Sequence, residues 1–138
     1  MLVKKIFVYG SLRSDMFNYN IYLNGKVKSS KKGYINGNLY HLDNKGYPAL
    51  TKGNKKILGE LMELNDFKAT LKELDDMENY KLDGFNNEYN RREVDVTLPD
   101  GSIEKAYFYE YNKDAEINKD DVLISIECGD WKEYMSNK

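Results

Sequence analysis

The punctuation of this chain constrains its fold more than any other feature. Short runs rich in β-branched and aromatic residues alternate with turn signals along most of its length, and one stretch alone has the spacing of a substantial helix. Ile6-Phe7-Val8-Tyr9 is stopped by Gly10-Ser11, which reads as a buried strand ending in a tight turn. Strands are expected at about 34–42, 47–51 and 57–64, separated by Asn44-Lys45-Gly46 and by Gly53-Asn54. Residues 89–98 and 103–111 bracket Pro99-Asp100-Gly101-Ser102, a strong hairpin signal because Pro and Gly preset the turn dihedrals. Val94 and Val96 alternate with Asp95 and Thr97, as in a strand with one wet face. Residues 15–24 suggest a short helix ended by Asn24-Gly25, the polar and basic 26–33 segment reads as a loop, and 66–78 is the main helix. The class is therefore α+β, a small closed or curled mixed β-barrel of about six strands with flanking helices. A chain of 138 residues fits one domain, spanning 1–138.

Several functions are disfavoured by composition. The net charge of −2 gives no overall attraction to nucleic acid. Residues 1–32 are basic and 60–78 acidic, which reads as solvated surface charge. The apolar start is broken by Lys4 and Lys5, too short for a signal-peptide core, and no apolar run reaches the length of a membrane span. The expectation is a cytoplasmic protein with neither a nucleic-acid nor a membrane partner. Cys128, the sole cysteine, excludes an intramolecular disulfide and fits a reducing compartment. No cluster supplies three or four zinc ligands, and His41 is the sole histidine, so no metal is expected. A nucleophilic Cys128–His41 pair would need the two to meet in space, whereas most lone cysteines are packing residues. Tyrosine is unusually frequent, 12 against 5 Phe and 1 Trp, which suits half-buried strands or the walls of a polar pocket.

The main helix carries the first chemical signal. At about 100° per residue, Phe67, Leu71, Leu74 and Met77 share one face and Lys72, Glu73 and Asp76 the other. Glu78 falls about 20° from Leu71, near the middle of the apolar stripe. A carboxylate there is costly unless it is paired, protonated or useful. Either burial raises its pKa toward neutrality, as a general base requires, or the helix frays at Met77 and Glu78 turns to solvent. Asp75 and Asp76 read as solvated. A second signal is the turn after the first strand, where Gly10 permits close backbone approach and successive N–H groups can form an anion-binding nest; by pattern alone a plain tight turn is the favoured reading.

Six short motifs then stand in order. They are Phe7-Val8-Tyr9-Gly10-Ser11-Leu12-Arg13, Tyr47-Pro48-Ala49-Leu50, Gly59-Glu60-Leu61, Leu74-Asp75-Asp76-Met77-Glu78-Asn79-Tyr80, Tyr89-x-Arg91-x-x-Val94-x-Val96 and Gly129-Asp130-Trp131. Together they resemble the gamma-glutamylcyclotransferase-like family over nearly the whole chain, with Asn79 where that family commonly has Gly. The resemblance implies a barrel-like core of six strands over a glutamyl-binding pocket. It implies Glu78 as catalytic acid/base, the Tyr9-Gly10-Ser11-Leu12 turn as cradle of a small γ-glutamyl substrate, and Tyr89 and Arg91 near the pocket. A surface strand charge is the plain reading of Arg91. The implied reaction is intramolecular cyclisation of a γ-glutamyl amide to 5-oxoproline with release of an amine, with no cofactor. Segments 24–33 and 81–88 are expected to shape the leaving-group side. The alternative on the same scaffold is a non-catalytic module that binds a small ligand, against which stands a carboxylate on an apolar helix face.

Overall fold

The computed structural model describes residues 3–14, 16–78, 80–81 and 87–137. Its elements run β1 (Lys5–Val8), α1 (Phe17–Tyr22), β2 (Val27–Leu42), β3 (Tyr47–Leu64), α2 (Phe67–Met77), β4 (Tyr89–Thr97), β5 (Ile103–Tyr111), β6 (Leu123–Ser125) and α3 (Trp131–Ser136), with one 3₁₀ turn at Glu116–Asn118. β1 lies between β3, to which it is antiparallel, and β5, to which it is parallel. β5 continues into the β4 hairpin, and β4 meets β2 at Tyr34 opposite Thr97. The long β2–β3 hairpin then closes a mixed five-stranded ring, while β6 pairs with the far end of β2 outside it. The expected closed barrel is present, with five strands in the ring and the sixth beside it.

Alternation along each strand builds two cores. Phe7, Ile35, Ile57, Leu61, Val96 and Phe108, drawn from all five ring strands, pack in one cluster and fill the barrel. Ile6 and Val8 point the other way, into a second cluster with Met62 and Leu74 beneath α1 and α2. Each such fully buried aliphatic or aromatic side chain contributes about 1.5–3 kcal/mol. In α2, Leu74 is buried and Phe67, Leu71 and Met77 are half-buried against that second cluster, as the periodicity requires. Asp66 caps the helix by accepting from the Ala69 N–H at 3.4 Å. The hairpin turn follows its sequence signal: Gly101 adopts φ +88°, and Asp100 accepts from the Ser102 N–H at 2.9 Å.

Two expectations of the sequence are corrected. Segment 26–33 is strand from Val27 onward, paired with 59–64 across one register shift between Val27 and Ser29. Residues 28–32 are exposed, so no apolar alternation marks them, and backbone pairing with an apolar partner strand supplies the order instead. The separate strands at 47–51 and 57–64 are one strand, because Gly53-Asn54 sits in a register shift opposite Gly37/Asn38 that bends β3 without ending it. Asn38 spans the shift by donating to the Lys52 carbonyl at 3.1 Å.

The segment after β1 is anchored at its exit. Arg13 Nε donates to Glu60 Oε2 at 3.0 Å, and its Nη1 to Asp130 Oδ1 at 2.8 Å. Ser14 donates to Glu60 through N–H and hydroxyl at 3.0 and 2.8 Å. Asp130 is also the N-cap of α3, so β1, β3 and α3 are tied at one buried point.

Candidate active site

Tyr9-Gly10-Ser11-Leu12 is a hydrogen-bonded turn. The Gly10 carbonyl accepts from the Arg13 N–H at 2.9 Å, and the Ser11 carbonyl from the Asn18 N–H at 3.0 Å. Asn18 of α1 also donates to Ser11 Oγ at 2.7 Å. Gly10 is required by contact: a Cβ there would overlap the Pro48 ring. Pro48, at the start of β3, is thereby brought against the turn, and its carbonyl accepts from the Tyr89 hydroxyl at 2.6 Å. Tyr9 donates to the Tyr109 carbonyl at 2.5 Å. Burial, and after it the charge of Glu78, holds the Tyr9 hydroxyl well above the ordinary tyrosine range, so it stays a neutral donor.

This turn and the end of α2 face one cavity of about 210 Å³. The helical hydrogen bonding continues into Glu78, whose N–H donates to the Leu74 carbonyl at 2.9 Å, so the residue remains on the helix end. Glu78, Tyr9, Gly10, Ser11, Leu12 and Tyr89 all line the cavity. Burial raises the Glu78 pKa, the charges of Glu88 and Asp75 add to it, and together they push it up to about 8. Burial is the largest of those causes, and it is the one that the apolar stripe in the sequence anticipates.

Arg91 is absent from the cavity lining. One β-step beyond Tyr89, its Nη1 donates to Asp75 Oδ2 at 2.5 Å, and its guanidinium lies 5.2 and 5.0 Å from the ring centroids of Tyr80 and Tyr107. Asp75 also accepts from the Tyr109 hydroxyl at 2.7 Å, so it is a paired anion behind Glu78 and not the solvated flank residue expected. Segment 24–33 does not reach the cavity. Asn79 and residues 82–86 lie outside the described residues.

Sequence reasoning missed a second carboxylate in the lining, Glu88. It accepts from the Tyr47 hydroxyl and from Lys45 Nζ, the latter at 2.9 Å. No periodicity singles it out; its signals were its place directly before Tyr89 and at the end of the 81–88 segment expected near the leaving-group side. Tyr47 and Tyr109 also line the wall, which explains part of the tyrosine excess. His41 and Cys128 are apart in role: His41 is buried and accepts from Trp131 Nε1 at 3.2 Å, while Cys128 is exposed. Among the described residues no helix is long and apolar enough to cross a membrane.

Comparison with known proteins gives this geometry a context. Residues 6–133 match the family described as "Gamma-glutamyl cyclotransferase, AIG2-like". A Methanocaldococcus jannaschii protein named "Putative gamma-glutamylcyclotransferase" is 30% identical over 136 residues, covering 94% of this chain and 96% of that one. Among solved structures, Bacillus subtilis YkqA superposes with a TM-score of 0.68 at 22% identity, over 99% of this chain and 44% of that one. An AIG2-like protein of Mus musculus superposes with a TM-score of 0.64 at 21% identity, over 85% and 82%. Those structural likenesses concern the fold.

Proposed function

The chain belongs to the AIG2-like gamma-glutamyl cyclotransferase family, and from that premise we propose that it is an enzyme that cyclises a γ-glutamyl amide to 5-oxoproline and releases the amine. The observation that carries this reading is the meeting of Glu78 with the Tyr9–Leu12 turn across one small cavity. A γ-glutamyl group holds both its nucleophile and its electrophile. Its α-amine closes a five-membered ring on its own γ-carbonyl, so the protein need only hold the chain curled. Such positioning is worth up to about 7–11 kcal/mol in well-oriented cases.

The α-ammonium first loses one proton to solvent, and Glu78 in its carboxylate form takes a second as the neutral amine attacks and the new C–N bond forms. The protonated acid then donates to the departing nitrogen as the old C–N bond breaks, and the base is restored. A pKa pushed up to about 8 matches both halves of that cycle. The tetrahedral oxyanion needs donors already in place. The Ser11 and Leu12 N–H groups have no acceptor among the described residues, which makes the turn the natural source.

The test is incubation with γ-glutamyl-alanine and γ-glutamyl-ε-lysine, following 5-oxoproline. Turnover of either is expected. A Glu78→Gln variant should lose turnover by at least about a hundredfold, the common scale for general acid–base catalysis, while still binding the γ-glutamyl ligand. Ligand binding with no turnover by the wild-type chain would instead identify a non-catalytic binding module.

A further inference from the structure

The cavity holds two carboxylates, and acid/base chemistry at Glu78 uses one. Resting on the γ-glutamyl reading above, we propose that Glu88 receives the α-ammonium group of the substrate, so that the residue that docks the amine and the residue that takes its proton are separate. Charge is the first argument. A γ-glutamyl head presents one ammonium and one carboxylate, yet no Lys or Arg stands among the described residues lining the cavity. The α-carboxylate therefore falls to neutral donors such as those of the Tyr9–Leu12 turn, and the ammonium to a lining carboxylate.

The frame behind Glu88 is the second argument. Lys45 Nζ reaches Glu88 Oε2 at 2.9 Å, Asp121 Oδ2 at 3.0 Å and Asn118 Oδ1 at 2.8 Å. Asp121 in turn accepts from Tyr111 and Asn44 at 2.6 and 2.8 Å. One lysine thus serves two carboxylates, Glu88 and Asp121, and of the two Glu88 lines the cavity. The Glu88 backbone is pinned as well, its carbonyl accepting from Asn118 Nδ2 at 3.0 Å and the Asn112 N–H at 3.1 Å. Held from behind at 6% side-chain exposure, the carboxylate is preorganised and has little freedom to withdraw. Glu78 is the poorer cation holder, because its surroundings favour the neutral acid.

The deciding measurement compares two ligands on wild type and Glu88→Gln: γ-glutamyl-methylamide as substrate, and glutaric acid monomethylamide, which lacks the α-amine, as competitive inhibitor. A hydrogen bond to a charged group is worth about 1.5–3 kcal/mol, so KM for the substrate should rise about 10–100-fold, with a smaller change in kcat. The inhibition constant of the desamino compound should stay within about twofold. Should Glu88→Gln fail to fold, Glu88→Asp keeps the charge for Lys45 while retracting the carboxylate, and the same split is expected. Equal weakening of both ligands would overturn the proposal and make Glu88 a structural residue. A wild-type chain that neither turns over the amide nor binds either compound would refute the γ-glutamyl reading itself, and this inference with it.

Discussion

At the scale of single residues, Glu78 is both a chemical group and a stability cost. Its pKa of about 8 in the fold exceeds the ordinary 4.5, so between those values the folded state holds a proton that the unfolded chain releases. Stability attributable to this group therefore falls as pH rises from about 4.5 to 8, and levels off above. Glu78→Gln should melt at higher temperature than wild type, by a margin that widens across that window; a margin independent of pH would contradict burial of an ionisable carboxyl as its origin. Under the proposed mechanism the same value sets the acid limb of kcat/KM, which should climb about tenfold per pH unit up to about pH 8. Glu78 was legible in the sequence because helical geometry makes a lone carboxylate on an apolar stripe conspicuous. Glu88 and Asp75 were not, because their meaning lies in partners distant along the chain: Lys45 and Tyr47 for one, Arg91 and Tyr109 for the other.

Between elements, the decisive joint is Arg13 with Glu60 and Asp130. Both Arg13 and Glu60 are nearly fully buried, so truncating the arginine leaves the Glu60 carboxylate in the interior with only Ser14 and, at 3.5 Å, Lys132 as partners. Arg13→Ala should cost about 3–5 kcal/mol in urea unfolding, and the double variant Arg13→Met, Glu60→Gln should recover part of it. A cost under about 1 kcal/mol would mean the joint is slack. Although burial acts to raise the Glu60 pKa, Ser14 and Arg13 together pull it below its ordinary value. Its contribution is thus present above about pH 4.5 and lost as pH falls through the lower folded value. Elements with their own periodicity or turn chemistry, α2 and the β4–β5 hairpin, were readable. The first half of β2 was not, since it is ordered by the strand beside it and carries no apolar pattern of its own.

For the whole molecule, closure is a long-range event. β1 at residues 5–8 finds its partners at 60–63 and at 107, so little of the barrel is stabilised by local contacts. Trp131, the sole tryptophan, is fully buried and bonded to His41, which makes its fluorescence a reporter of closure. Refolding followed by that signal should take milliseconds to seconds; completion in microseconds would contradict a rate set by non-local pairing. The cavity inherits the same dependence, for its wall is assembled from residues 7–12, 18, 47–48, 77–78, 88–89 and 109. During vectorial synthesis on a ribosome, the turn that begins the site is made long before β5, and the β1 strand that leads into it waits for β5 before its parallel neighbour exists. A nascent chain released short of that strand would carry Glu78 and the whole turn and still lack the far wall, so truncation there removes the cavity rather than reshaping it.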